Sequence, residues 1–323
     1  VPIPKKILLV RIDRIGDMLC STPAIRAFRQ AYPEARIDLV ASNKNVCVVR
    51  ENPDVDNVYV FPLNKIWLWP WHFLKYRFRK YDMVVSLNGS SKTASRLAAF
   101  TNAPVKAGTR STETKAYYDT TIPNRKNEHV IRHMLRLAKE MGAPCDDERI
   151  VFPVDEALLA QARQRFPARP GLRRVAIFIG NAKKNETRWP ADKFVELTGR
   201  LLEREDVEVY IVAGPGDEPL LEGFSWTDRC LRYPGGSLQA LGAFLKTCDM
   251  FVTSSSGPMH VGAAVEVPMV SVLAGFTYNC WRPLGPMHRA VSSDHPGVDA
   301  RSVPVDEVLA AANGLLDDLA AAD

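Results

Sequence analysis

The sequence predicts an α/β protein built as two domains, each around a parallel sheet. Three observations predict it. Short β-branched apolar runs alternate with amphipathic stretches, the pattern of βαβ units. The same order restarts beyond a Pro- and Gly-bearing stretch near residue 170. Finally, 323 residues exceed the roughly 250–300 at which one hydrophobic core usually stops growing.

The elements follow in order. Lys6 to Ile12 (KILLVRI) reads as a strand, Asp13 to Gly16 as a turn, and Ser21 to Tyr32 as an amphipathic helix. Ile37 to Ala41, Val58 to Phe61 and Met83 to Leu87 read as further strands. Pro153 to Arg173 holds a helical stretch, Asp155 to Phe166, and then Pro167, Pro170 and Gly171, which places the domain boundary there. The second half opens with the strand Arg174 to Ile179, followed by a helix from Ala191 to Glu203 and strands at Val207 to Ala213, Met250 to Thr253 and Met269 to Leu273. Pro304 to Ala322 carries Val305, Val308, Leu309, Leu315, Leu316 and Leu319 at helical spacing and reads as a closing helix. The division is therefore 1–155, 172–303 and the closing helix 304–323.

Composition excludes several classes. Hydrophobic residues at 46% and charged residues at 24% rule out disordered, collagenous and disulfide-scaffold chains. A formal charge of +5 does not predict nucleic-acid binding unless the basic residues share one face, and none is expected as a partner. Six scattered cysteines without a C-x-x-C pair argue against a zinc site and a disulfide framework, and for a reduced, cytoplasmic setting. Val1 to Lys6 shows no leader pattern. The apolar cluster Ile66 to Leu74 is too short to span a bilayer, so membrane contact is expected to be peripheral.

In parallel sheets ligands sit beyond the carboxyl ends of strands, so the turns there are the places to look. The first, Arg11 to Asp17, lacks G-x-G-x-x-G, which disfavours a dinucleotide enzyme. Asp17 stands where a helix should begin and reads either as a capping carboxylate or as a general base. Gly180 to Pro190 packs Lys183, Lys184 and Arg188 before a helix, as an anion site or as a solvated basic loop. Ser254 to Ala264 combines Ser255, Ser256 and Gly257 with a helix start near Pro258, which suits a phosphate. His260 there reads equally as a structural residue. No G-x-S-x-G elbow is present, which disfavours a hydrolase.

Basic charge concentrates in Lys65 to Lys80 (KIWLWPWHFLKYRFRK), interleaved with aromatic rings. This suits an anionic membrane surface or a phosphorylated glycolipid acceptor. Stacking on single-stranded nucleic acid and a partly buried helix with a basic outer face remain open.

The N-terminal KKILLVRIDRIGDMLCSTPAIRAFRQAYP, the central RWPADKFVEL, VEVYIVAGPGDE and CDMFVTSSSGPMHVGAAVEVPMVSVLAG are similar to the heptosyltransferases of glycosyltransferase family 9. The resemblance runs in order through most of the chain and is weakest between about Ile66 and Arg149. It implies the GT-B fold: two Rossmann-like domains facing a cleft, the first for the acceptor, the second for a nucleotide-sugar donor, and a last helix returning to the first domain. By the resemblance, Asp17 is the catalytic base. Asn181, Lys183, Lys184, Thr187 and Arg188 form the donor phosphate loop, with Thr187 standing where the family usually has Lys. Asp217 and Glu218 meet the ribose, Gly236 lies at the adenine, and Ser255, Ser256, Gly257 and His260 form the remaining donor turn, with Ser255 where some members have Asp. Arg14, Lys65, Arg77 and Arg79 are the expected acceptor contacts.

The expected activity is an inverting, metal-independent transfer of a heptose or related sugar from ADP-heptose, needing no cofactor besides the donor, to a hydroxyl of a lipopolysaccharide-type glycan. The expected location is cytoplasmic, peripheral on the inner face of the cytoplasmic membrane. Rival readings are a GT-B-like enzyme using another nucleotide sugar, such as an epimerase, and a degenerate binding or scaffold member.

Overall fold

The computed structural model describes residues 3–180, 187–292 and 299–322. The chain divides into two units, Val1–Pro153 and Val154–Asp323. The boundary falls at the start of the proline-bearing stretch.

The first unit contains β1 (Lys6–Val10), α1 (Ile15–Leu19), α2 (Thr22–Ala31), β2 (Arg36–Ser42), β3 (Asn57–Phe61), α3 (Trp69–Phe78), β4 (Met83–Ser86), α4 (Lys92–Phe100), β5 (Val105–Arg110), β6 (Thr120–Pro123) and α5 (Val130–Glu140). Its sheet runs β3-β2-β1-β4-β5-β6, with every pairing parallel. Ile7, Leu8, Leu9 and Val10 are all buried, as expected for a central strand covered on both faces. Strand order reverses between β1 and β4, so the crevice at the sheet's carboxyl edge opens beside the turns that follow these two strands.

The second unit repeats the plan with α6 (Glu156–Arg165), β7 (Arg173–Phe178), α7 (Ala191–Leu201), β8 (Val207–Val212), β9 (Cys230–Arg232), α8 (Leu238–Leu245), β10 (Met250–Ser254), α9 (Gly257–Ala264), β11 (Met269–Leu273), α10 (Gly275–Trp281), β12 (His288–Ser292) and α11 (Val305–Ala322). The sheet runs β12-β11-β10-β7-β8-β9, again parallel throughout, and its reversal lies between β7 and β10. Asp155 caps α6 by accepting the Ala157 backbone N–H at 2.7 Å. Past the helix, the Phe166 ring packs against Phe244 at 4.7 Å and Tyr210 at 5.6 Å, which ties this stretch to the second sheet.

The closing helix α11 turns Val305, Val308, Ala312, Leu315 and Leu316 into the core of the second unit, against α7, β11 and β12. Polar ties support that placement: Arg289 donates to the Ala311 carbonyl at 3.0 Å, and Arg204 pairs with Asp317 at 2.8 Å. The apolar stripe at helical spacing is the face that this core covers.

Candidate functional site

At the reversal point of the first sheet, Arg11 is almost wholly buried just beyond β1. Its guanidinium pairs with Asp13 through Nε at 2.9 Å and with Asp17 through Nη2 at 3.0 Å, and it donates to the Leu87 carbonyl beyond β4. The planar fork of donors is what allows one side chain to hold two carboxylates and a carbonyl at once. The turn is fixed from both sides, since Asn88 accepts the Ile12 backbone N–H at 3.2 Å and Asn45 donates to the Arg11 carbonyl at 3.1 Å.

Asp17 lies in the first turn of α1, but the capping position is Arg14 and no side chain caps this helix. The carboxylate is therefore oriented by Arg11 rather than spent on backbone amides. Burial pushes the Asp13 carboxyl up to about 6; Arg11 opposes the rise and the negative charge of Asp17 adds to it. Asp13 is thus a carboxyl that its burial makes hard to ionise even beside a guanidinium. Arg14 is exposed at the start of α1.

A second polar cluster borders this turn and escaped the sequence reading. His133 on α5 lies 2.9 Å from the Thr109 hydroxyl and 2.9 Å from Glu128, and Arg136 pairs with Glu128 at 2.6 Å. Arg136 is the largest influence holding the Glu128 carboxyl down at about 2. Alongside runs a cavity of about 700 Å³ lined by Arg125, Lys126, His129, Arg132, Arg136 and Lys139, among others. The available signal was the basic spacing Arg132, Arg136, Lys139 on one helical face.

In the second unit, strand register sets four turns side by side. Phe178 pairs with Thr253 and with Val212, and Ile211 pairs with Arg232. The turns after β10, β7, β8 and β9 consequently leave the same sheet edge in that order. Asn181, Lys183 and Lys184 lie outside the described residues. Thr187 is buried, and the fully buried Trp189 anchors the end of its loop. The Trp189 backbone N–H donates to the Ser254 hydroxyl at 3.1 Å, and its indole N–H donates to the Val303 carbonyl at 2.9 Å. Arg188 Nη2 is buried without a hydrogen-bond partner among the described residues, a costly arrangement unless an anion completes it.

Asp217 and Glu218 separate. Glu218 is exposed, whereas Asp217 is buried against backbone: a Cβ on Gly180 would stand 2.1 Å from its Oδ2, and one on Gly214 2.9 Å. Gly236 has φ +151° and leads into α8, whose N-cap Ser237 accepts from the Ala240 N–H at 3.1 Å. Ser256 caps α9 by accepting from the Met259 N–H at 3.4 Å, so Gly257 begins the helix with its backbone amide at the positive end. Ser255 is half-buried beside it. His260 is buried in the first turn, edge-on to Trp281 at 6.0 Å between ring centroids.

The four basic residues expected to meet an acceptor divide likewise. Lys65 and Arg77 are exposed. Arg79 is committed within the fold, 3.8 Å from buried Asp38 and 4.2 Å over the Tyr59 ring. No helix among the described residues is long and apolar enough to cross a membrane, and no group of three His, Cys, Asp or Glu among them could hold a metal ion.

Two three-layer units with the same strand order, the second carrying an anion-suited set of turns, define a GT-B-type protein. The profile of glycosyltransferase family 9 (heptosyltransferase) matches residues 72–303. The chain belongs to that family and is a glycosyltransferase. It is 24% identical over 285 residues to lipopolysaccharide heptosyltransferase 3 of Escherichia coli, covering 83% of each chain. With lipopolysaccharide heptosyltransferase 1 of Campylobacter coli it shares 24% over 286 residues, at the same coverage of both. Among solved structures, a family 9 glycosyl transferase from Veillonella parvula superposes with a TM-score of 0.83 at 21% identity, covering 97% of both chains. The E. coli ADP-heptose lipopolysaccharide heptosyltransferase II gives 0.81 at 20%, covering 97% of this chain and 99% of that one. An E. coli heptosyltransferase solved with ADP gives 0.71 at 18%, covering 98% of both.

Proposed function

We propose that the protein transfers a heptose from ADP-heptose to a hydroxyl of a lipopolysaccharide-type glycan, with inversion at the anomeric carbon and Asp17 as general base. The observation that carries this reading is the Asp17 carboxylate, half-buried at the reversal point of the first sheet and oriented by Arg11 instead of capping α1. In one step the acceptor oxygen bonds to the anomeric carbon, its proton passes to Asp17, and the carbon–oxygen bond to the diphosphate breaks to release ADP. A positioned base contributes about 10²- to 10⁴-fold.

Donor binding belongs to the second unit. The orphaned Nη2 of Arg188 and the amide end of α9 at Gly257 suit the diphosphate, whose developing charge is the harder demand of the reaction. Lys183 and Lys184 are proposed for the same loop from the family pattern. With Asp217 packed beneath Gly180, its role is to set the turn, which leaves exposed Glu218 for the ribose hydroxyls. Gly236 suits close approach of the adenine, and Ser255, Ser256 and His260 complete the wall. Arg14 is the proposed acceptor contact nearest Asp17 in the chain. No cofactor beyond the donor is invoked, and an ADP-sugar donor puts the reaction on the cytoplasmic side.

Asp17→Asn keeps size and most packing while removing the proton acceptor. Expected is a loss of kcat of about 10²-fold or more, with ADP affinity by calorimetry unchanged. Near-normal turnover by the variant would show that another group takes the proton.

A further inference from the structure

The stretch from Ile66 to Phe78 has two apolar faces, and the fold covers one of them. Trp69, Phe73 and Tyr76 form the inner stripe: Trp69 and Phe73 pack on Phe61 with ring centroids at 5.4 and 6.0 Å, and Tyr76 is fully buried. Trp67, Trp71, Leu74 and Phe78 follow one another at spacings of four, three and four residues, which puts them on the opposite side. Trp67 is 71% exposed, Trp71 69% and Phe78 75%. Ile66, Leu68 and Phe100 extend the exposed area, with Phe100 joined through Phe73 at 5.5 Å. Large apolar residues gathered on one surface mark an interaction site rather than ordinary surface variation.

Charge identifies the occupant. Residues 65–80 contain five basic side chains and no Asp or Glu. Arg79 is held by Asp38, while Lys65, Arg77 and Lys80 are exposed around the apolar stripe. A second copy of this chain docking by a two-fold axis would set this basic segment against itself. Single-stranded nucleic acid would use the rings but gain little from Ile66, Leu68 and Leu74. Tryptophans beside aliphatic residues within a basic rim match the interface of an anionic bilayer, where rings settle at headgroup depth and cations meet lipid phosphates.

We propose that this surface docks the protein on an anionic phospholipid membrane, with Trp67, Trp71, Leu74 and Phe78 entering the headgroup boundary. The inference goes beyond the transferase reading and stands independently of Asp17.

The full-length protein is mixed with sonicated vesicles of phosphatidylcholine alone or with 30 mol % (about a third) phosphatidylglycerol, without donor or acceptor, and binding is read by co-sedimentation and tryptophan fluorescence. Expected is binding to the anionic vesicles with a blue-shifted emission, weakened by salt. Trp71→Ser with Phe78→Ser should weaken partitioning about tenfold or more, and Arg77→Glu with Lys80→Glu should abolish the preference for anionic lipid. Circular dichroism confirms that the variants fold, and an Asp17→Asn control should bind vesicles normally. Absence of vesicle binding, or binding indifferent to both double variants, overturns the proposal. So does a concentration-dependent dimer that the Trp71 and Phe78 changes dissolve, since the occupant would then be a second copy. Displacement from vesicles by a soluble, deacylated acceptor glycan would assign the surface to the acceptor instead.

Discussion

Asp13→Asn tests the electrostatics of the first-unit turn. The Asp13 carboxyl sits at about 6 against 3.8 for an ordinary aspartate, chiefly because burial penalises its charged form. A rise of this size corresponds to about 3 kcal/mol between the two protonation states. The side chain keeps 32% exposure, and solvent screening reduces the figure to about 2 kcal/mol. The sign follows from proton binding. Between 3.8 and 6 the folded protein holds a proton that the unfolded chain has released, so this group's contribution is full below about pH 4 and lost as pH rises through 6. Asparagine mimics the neutral form at every pH. The attraction of Arg11 is already contained in the value of about 6, so its loss at this position needs no separate allowance. At pH 7.5 the variant should be more stable by about 2 kcal/mol, a rise of roughly 4–8 °C in the transition of a unit of this size. At pH 4 the two proteins should melt together. Scanning calorimetry at both pH values decides the matter. A variant no more stable than the parent at pH 7.5, or equally stabilised at both, refutes the assignment of Asp13 as a carboxyl ionised at a cost.

Three further outcomes follow from single contacts. Gly180→Ala would set a Cβ 2.1 Å from Asp217 Oδ2 and 2.6 Å from the Phe178 ring, so the carboxylate and the ring must move aside; a stability loss of about 1–3 kcal/mol should accompany weaker ADP binding in calorimetry, and unchanged affinity would detach Asp217 from the donor turn. Trp189→Ala empties a fully buried site and removes the indole bond to Val303; about 3–5 kcal/mol should be lost, confined in hydrogen exchange to the second unit. Glu128→Gln removes a carboxylate that Arg136 holds at about 2. Its contribution is present above pH 4.5 and lost as pH falls toward 2, so the variant should be about 2 kcal/mol less stable at pH 7 and equal near pH 2, as urea titrations would show.

What the sequence revealed of the fold depended on burial. The strands β1, β2, β4, β7, β8, β10 and β11 lie inside sheets covered on both faces, so each is a short apolar run that stands out between helices. β6 (TTIP), β9 (CLR) and β12 (HRAVS) are edge strands, short and polar. They escape because an edge requires little apolar surface, whereas the edge strand β3 (NVYVF) stands out because it keeps Val58, Val60 and Phe61. Interior β5 (VKAGTR) escapes for a different reason: at Gly108 the Tyr118 ring occupies the space a Cβ would need, 2.5 Å away, so glycine appears where a strand signal would want a branched residue. The closing helix stands out for the same reason as the inner strands, since its stripe Val305, Val308, Leu315 and Leu316 is buried in a core.

The site was legible as turns and not as interactions. Strand-then-turn punctuation located Asp17, Arg188 and Ser255–Gly257 without coordinates, because ligand turns in parallel sheets must follow strand ends. Arg11 was not legible: next to a strand it reads as an ordinary polar position, and only its burial among Asp13, Asp17 and the Leu87 carbonyl reveals a clamp. Asp217 and Glu218 make the point more sharply. As adjacent acids in one turn they are interchangeable on paper, and both were expected at the ribose. Glycines at 180 and 214 leave a space that one of the two carboxylates enters, and Asp217 fills it while Glu218 remains outside. Adjacent acids therefore differ in burial because of small residues 37 and 3 positions away from Asp217, a dependence that spacing within the motif does not contain.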